Sequence, residues 1–121
     1  MKGNTNIIKE KSFEFALRII NAYKLLVADK KKFVMSKQLL RSGTAVGALY
    51  RETEFAESKN NFIHKMVMAQ KECNETLYWI ELLHKSEYFD KKGFESIHLE
   101  AIELIKLITS IIKSAKQNIK H

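Results

Sequence analysis

The chain has 121 residues, of which 45% are hydrophobic and 29% are charged, a composition typical of one globular domain. It contains no proline and four glycines, so long stretches are free to form helix and we expect an all-α protein. Lys and Arg outnumber Asp and Glu by 21 to 14, which gives a formal net charge of +7. This surplus favours a polyanionic partner, nucleic acid or an anionic membrane, and the alternative is a basic surface that serves only solubility.

Nothing in the sequence indicates secretion or insertion into a membrane. The single cysteine, Cys73, has no partner for an internal disulfide, and no apolar segment of the signal-peptide kind follows Met1. The apolar window Ile102–Ile112 is interrupted by Glu103 and Lys106, so no run of about 20 apolar residues is present to span a bilayer. We therefore expect a cytoplasmic protein.

Apolar residues recur at spacings of three and four in four segments. These segments predict helices over about residues 12–31, 36–56, 58–85 and 92–117. Ser12 and Ser58 precede the first and third segments and are suited to cap them. Short connections force neighbouring helices to run antiparallel, so residues 1–121 are predicted to form a single antiparallel up-down-up-down four-helix bundle.

The spacing also predicts which residues face the core. Those of the later helices are Leu39, Gly43, Val46 and Tyr50 of the second, Phe62, Met66, Ala69, Cys73, Leu77 and Ile80 of the third, and Ile97, Ala101, Leu104, Ile105, Ile108, Ile111, Ile112 and Ala115 of the fourth. The inward stripe of the first helix is predicted to be Phe13, Leu17, Ile20, Lys24 and Val27, widened by Ala16, Ile19, Tyr23 and Leu26. The second helix contains Gly43 and Gly47, each of which costs about 1 kcal/mol relative to alanine in a helix. We expect these glycines to permit close approach of another helix.

Two Glu-x-x-His pairs, Glu81 with His84 and Glu95 with His98, have the spacing found in di-iron bundles. A di-iron site also needs one carboxylate from each of the other two helices. Both pairs lie near the connection between the third and fourth helices, so these two carboxylates would have to come from the same end of the bundle. Asp29 is the only carboxylate of the first two helices near that end. The sequence therefore predicts no metal site and no cofactor, and the pairs are interpreted as helix-surface residues.

The remaining candidates for chemistry also favour structural interpretations. Cys73 lies in the apolar stripe of the third helix, where a lone cysteine behaves as a small hydrophobe. His64 and His121 have no partners at metal-ligand spacing, and no Gly-Lys-Ser/Thr follows Gly43 and Gly47. We predict no catalytic residues and a protein that is not an enzyme.

Basic residues are spread over all four helices, so in a monomer they form a solvated surface, whereas in an oligomer their electrostatic fields add.

Tyr50, Tyr78 and Trp79 are candidates for base stacking or subunit contact if they are not core residues. Tyr78 and Trp79 are adjacent on a helix and cannot both face one core line. We place Trp79 at a subunit contact.

Several segments resemble a known family: residues 38–42, 45–48, 58–66, 69–72 and 75–83. They are similar to the four-helix-bundle proteins encoded in intervening sequences of 23S ribosomal RNA, and the resemblance extends over about residues 12–112. The same family includes the accessory variability determinant of diversity-generating retroelements. Where the family reads Asn-Ile-Ala-Glu-Gly, this chain has Leu49–Thr53, so Thr53 stands in place of glycine and the helix end there is expected to differ.

The resemblance implies a homopentameric, barrel-like assembly that binds nucleic acid and an associated reverse transcriptase through basic surface. We expect phosphates of RNA or DNA to contact Arg41, Arg51, Lys65 and Lys71, with each cation displacing counterions. The alternative function is a protein-interaction scaffold or accessory factor for a polymerase such as a reverse transcriptase. Binding driven by phosphates weakens steeply with salt, whereas a hydrophobic protein contact does not.

Overall fold

The structure, a computed structural model, describes residues 2–30 and 33–119, with side chains for residues 6–28 and 33–118. The described residues form four helices: α1 (Lys2–Leu25), α2 (Phe33–Thr53), α3 (Lys59–Lys85) and α4 (Lys91–Ile119). A π-helical segment, Leu26–Lys30, continues α1. Each helix packs against the next and α4 packs against α1, so the all-α four-helix bundle is confirmed.

The predicted start of the first helix is wrong, because α1 begins at Lys2 and Ser12 lies inside it. Ser12 is buried, and its hydroxyl donates to the carbonyl oxygen of Lys9 at 3.3 Å, so it does not cap the helix. The residues before Ser12 contain no proline and carry Ile8 into the core, which favours a longer helix. Residue 31, the side chain of Asp29 and His121 lie outside the described residues.

The other boundaries lie closer to the prediction. α2 begins and ends three residues earlier than expected, whereas α3 and α4 agree to within two residues. Ser58 caps α3 as predicted, because its hydroxyl accepts a hydrogen bond from the Asn61 backbone N–H at 3.0 Å. α2 ends at Thr53. In the turn that follows, the backbone N–H groups of residues 54–56 each donate to the carbonyl oxygen three residues earlier, and the Thr53 hydroxyl donates to the Tyr50 carbonyl oxygen. Threonine thus replaces the family's glycine without a left-handed backbone conformation.

The predicted inward stripe of α1 is wrong in part. Phe13 and Leu17 are 50% and 48% exposed. The buried residues of α1 are Ile8, Ser12, Phe15, Ile19 and Leu26. Both sets recur at spacings of three and four, so periodicity alone does not separate them. The small side chain of Ser12 fits against α2, and this contact turns Phe13 and Leu17 outwards.

The core lines of the other helices are confirmed, except that Phe62 of α3 and Ile105 of α4 are only partly buried. The residues predicted to face inwards and found buried are Leu39, Gly43, Val46 and Tyr50 of α2, Met66, Ala69, Cys73, Leu77 and Ile80 of α3, and Ile97, Ala101, Leu104, Ile108, Ile111, Ile112 and Ala115 of α4. Burial raises the pKa of the Cys73 thiol to about 12, which keeps it protonated and unreactive. Over the residues described, no helix combines the length and apolarity needed to cross a membrane.

The two glycines of α2 allow it to approach α1 closely. A Cβ atom added to Gly43 would lie 2.7 Å from Cγ1 of Ile19, which is fully buried. A Cβ atom added to Gly47 would lie 3.3 Å from the carbonyl oxygen of Ser12. The close packing predicted for these glycines is confirmed, and it fixes the rotation of α1.

We expect Gly43→Ala to destabilise the protein by about 1 kcal/mol, although alanine is favoured by about 1 kcal/mol in helix propensity. The added methyl group overlaps Ile19, and overpacking a core costs about 1–3 kcal/mol. Urea unfolding measures the change, with Ser110→Ala on the exposed side of α4 as a control that reports propensity alone. A Gly43→Ala protein more stable than the parent would contradict this packing of α1 on α2.

Candidate nucleic-acid interface

Arg41 joins α2 to α3 through two carboxylates. Its Nη1 donates to Oε1 of Glu72 at 3.0 Å, its Nη2 donates to Oε2 of Glu75, and its Nε donates to Oε1 of Gln38 at 3.1 Å. The hydrogen bonds to Glu75 and Glu72 raise the pKa of the guanidinium above its usual value. Hydrogen bonds from Trp79 and Arg41 lower the pKa of the Glu75 carboxyl. Arg41 is therefore held within the chain as a charged group that links two helices.

Lys65 and Arg51 also have partners within the chain. The Nζ of Lys65 lies 2.7 Å from Oε1 of Glu52, which forms a second ion pair between α3 and α2. The guanidinium carbon of Arg51 lies 5.4 Å from the ring centroid of Phe13, a cation–π contact between α2 and α1. A phosphate would have to compete with Glu52 for Lys65, whereas the contact with Phe13 leaves the charge of Arg51 uncompensated.

Lys71 differs from the other three predicted contact residues. Its side chain is exposed on the side of α3 turned away from the core, and no described residue forms an ion pair with it. The structure does not bring the four cations together. Arg41 and Lys65 lie along the contact between α2 and α3, Arg51 lies beside α1, and Lys71 lies on the outer face of α3.

Six carboxylates form pairs that join one part of the bundle to another: Glu54 with Lys9, Glu100 with Arg18, Glu72 and Glu75 with Arg41, Glu52 with Lys65, and Glu81 with His98. Glu54 belongs to the turn that follows α2, and the other five belong to helices. None of these six pairs includes a lysine from the outer face of α3 or α4.

Seven exposed lysines of α3 and α4 have no ion-pair partner among the described residues, and five of them follow a seven-residue spacing: Lys71 and Lys85 on α3, and Lys92, Lys106 and Lys113 on α4. We call these five the outer lysines. Neither Lys85 nor Lys92 was predicted from the sequence to contact phosphate, and Lys106 and Lys113 were interpreted as part of a dispersed charge. Their spacing of seven residues was the available signal, because residues seven apart lie on nearly the same side of a helix.

Tyr78 is the exposed aromatic residue among these lysines. Its side chain is 57% exposed, and its ring centroid lies 5.1 Å from that of Trp79 in an edge-to-face arrangement at 71°. Trp79 is partly buried, and its Nε1 donates to Oε2 of Glu75 at 2.9 Å. Tyr50 is buried in the core and is not placed for stacking on a base. The subunit contact of Trp79 stays a prediction.

The two Glu-x-x-His pairs contact each other across α3 and α4. His98 Nε2 lies 3.0 Å from Glu81 Oε2, and the His84 ring stacks on Phe94 with centroids 3.9 Å apart. Within the described part of the chain, no group of three or more His, Cys, Asp or Glu side chains is arranged to hold a metal ion. The contacts place these residues in helix packing.

A cavity of about 660 Å³ lies where α1 ends and α4 begins. Its lining includes Leu26, Tyr88 and Phe89, together with Arg18, which is paired with Glu100 at 2.7 Å. The described lining residues include no serine, threonine, cysteine or lysine. The polar side chains of the lining are those of Arg18, Asn21, His84, Glu87, Tyr88 and Asp90.

Comparison with known proteins identifies the family. The model of the family of 23S rRNA-intervening sequence proteins matches residues 4–110. The chain belongs to this family. It is also similar to a protein of unknown function from the S23 ribosomal protein family of Bacteroides thetaiotaomicron, known from a crystal structure, with 54% identity and a TM-score of 0.89. The match covers 91% of this chain and 98% of that chain, and no curated protein matches.

The predicted membership of the 23S rRNA-intervening sequence family is thereby confirmed. Residues 4–110 include Arg41, Lys71 and Tyr78, whereas Lys113 lies beyond the matched range. The family and its solved relative establish the kind of fold.

Proposed function

We propose that the protein binds nucleic acid through the outer lysines and acts by binding, without catalysis of its own. The observation that carries the proposal is the separation of charges described above. Carboxylates are paired at the contacts between helices, and the outer lysines are exposed without an ion pair to any described residue. Such lysines attract phosphates, and each phosphate contact releases bound counterions.

The four cations selected from the sequence have different roles in this proposal. Lys71 contacts phosphate directly, because its ammonium is exposed and has no competing carboxylate. Lys65 and Arg51 contribute when nucleic acid draws them from Glu52 and Phe13. Arg41, which is bound by two carboxylates, acts mainly by holding α3 in place.

We also propose that the protein forms a homo-oligomer, a pentamer by resemblance to its family. The candidate subunit contact is an apolar band on the outer side of α1 and α2, formed by Phe13, Leu17, Ile20 and Ala48. A second copy of this chain is a suitable occupant on charge grounds. The exposed carboxylates Glu10 and Glu14 lie at the Phe13 end of the band, and the exposed cations Lys24 and Lys37 lie at its other end.

The same apolar band supports a second candidate function, a scaffold for a protein partner such as a polymerase. Half-exposed Phe13 and Leu17 are the specific observation in its favour. A contact through this band would be largely insensitive to salt, because it buries apolar surface. The two functions are therefore separated by the ionic strength dependence of binding.

Titration of a labelled structured RNA and of duplex DNA tests the proposal. We expect binding that weakens about tenfold or more between low and moderate salt, because phosphate contacts release counterions. Glu52→Gln should strengthen binding by about twofold by freeing Lys65, and Lys65→Gln should weaken it by a similar factor. These two substitutions are matched, because each breaks the same ion pair. No binding at low salt would reject the proposal and favour the second candidate function, a scaffold for a protein partner.

Leu17→Glu tests the subunit contact. The substitution places a charge in the apolar band, and burying an unpaired carboxylate costs several kcal/mol, so we expect dissociation to smaller species. Light scattering measures the mass in solution. Leu99→Glu is the matched control, because Leu99 is 60% exposed on α4 and lies outside the band. A monomeric parent protein, or an unchanged mass for Leu17→Glu, would contradict the assignment.

A further inference from the structure

Four exposed residues follow one another along the outer face of α3 at intervals of seven: His64, Lys71, Tyr78 and Lys85. A step of seven residues turns the helix by almost two full turns and advances it by about 10 Å. The residues therefore form one row, with an aromatic ring between two lysines. We call them the α3 row.

The matching row on α4 is Lys92, Leu99, Lys106 and Lys113, and all of its residues are exposed. The contacts Glu81–His98 and Gln70–Thr109 fix the register of the two antiparallel helices. In this register Lys71 lies at the height of Lys106, and Tyr78 lies at the height of Leu99. Along the bundle, the Tyr78 ring therefore lies between two pairs of lysines: Lys71 and Lys106 towards one end, and Lys85 and Lys92 towards the other.

The orientation of the Tyr78 ring is set by a series of contacts that begins at Arg41. Arg41 holds Glu75, Glu75 accepts a hydrogen bond from Trp79 Nε1, and Trp79 packs edge-to-face against Tyr78. A ring held in this way loses little conformational freedom when a ligand stacks on it. Exposure of 57% leaves much of the ring open to solvent.

Both carboxylates within one helical turn of Tyr78 on α3 have a partner on another helix. Glu75 is paired with Arg41, and Glu81 lies 3.0 Å from His98. Asn74, one helical turn before Tyr78, is exposed and presents an amide that both donates and accepts hydrogen bonds. An anionic, hydrogen-bonding ligand with a flat ring system fits the chemistry of this surface.

We infer that the α3 row binds an unpaired segment of RNA, with a base stacked on Tyr78 and phosphates at Lys71 and Lys85. The inference rests on the proposed function and adds to it the kind of strand and the residue that recognises a base. A duplex keeps its bases stacked on one another, so it offers phosphates to the lysines but no base face to Tyr78. Asn74 is placed to bond the ribose 2′-hydroxyl, which DNA lacks.

The test measures binding of three labelled probes: an RNA of about 12 nucleotides without self-complementarity, DNA of the same sequence, and the RNA duplex. We expect the single-stranded RNA to bind more tightly than the other two. Tyr78→Ala should weaken its binding about tenfold, because loss of one stacked base costs about 1–3 kcal/mol. Tyr78→Phe should bind within about twofold of the parent, because it retains the ring.

Phe55→Ala is the matched control, since Phe55 is an 87% exposed aromatic residue in the turn between α2 and α3, away from the α3 row. Trp79 supplies an independent signal, because it is the single tryptophan and contacts Tyr78. RNA should change its fluorescence in the parent and much less in Tyr78→Ala. Urea unfolding confirms that each variant is folded.

Two results would overturn the inference while leaving the proposed function intact. One is salt-dependent binding that Tyr78→Ala weakens no more than Phe55→Ala does. The other is equal or tighter binding of duplex RNA or of DNA. Absence of binding to every probe at low salt would instead remove the proposed function and the inference together. Binding to vesicles of anionic lipid, with no binding to RNA, would assign the same lysines to a membrane surface.

Discussion

The placement of carboxylates is the constraint on which the surface of this bundle depends. Three of the four contacts between neighbouring helices include a pair between an acidic and a basic side chain, and at the fourth Lys9 of α1 pairs with Glu54 in the turn that follows α2. Individually such exposed pairs contribute little to stability, about 0–1 kcal/mol. Their larger effect is on the distribution of charge, because carboxylates used between helices do not neutralise lysines on the outer faces. Lysines on those faces are thereby left accessible to a polyanion.

Much of the fold could be predicted from the sequence, because its signals are local. Ser58 caps α3 through a bond that spans three residues, and the apolar lines of α3 and α4 follow directly from helical periodicity. The rotation of α1 could not be predicted in this way. Two lines of residues have the same spacing, and the choice between them depends on Gly43 and Gly47, which belong to another helix. Ser12 was misread as a cap for the same reason, since its role is to fit beneath α2.

The candidate site was harder to predict than the fold. Arg41, Lys65 and Arg51 were selected as free cations, but each has a partner in the chain that is distant enough in sequence to require the tertiary structure. Lys71 was predicted to contact phosphate; the structure places it on an exposed face, and the contact itself stays a prediction. The lysines at intervals of seven were visible in the sequence, but the unpaired state of Lys71 and Lys85 depends on Glu75 and Glu81, which pair with residues of other helices. The apolar band lies on α1 and α2, whereas exposed lysines without an ion pair to a described residue lie on all four helices.

The salt dependence of RNA binding in two matched variants tests this account most directly. One variant replaces Lys71, Lys85 and Lys106 with glutamine, and the other replaces Lys11, Lys24 and Lys37, which are also exposed, on α1 and α2. Because Lys24 and Lys37 lie at one end of the apolar band, light scattering first establishes that both variants keep the mass of the parent. The account predicts that the slope of log K against log salt becomes shallower by about 2 units in the first variant, at about 0.7 per lost contact with a single strand, and hardly changes in the second. Equal changes in the two variants would show that net charge, and not the outer faces of α3 and α4, determines binding.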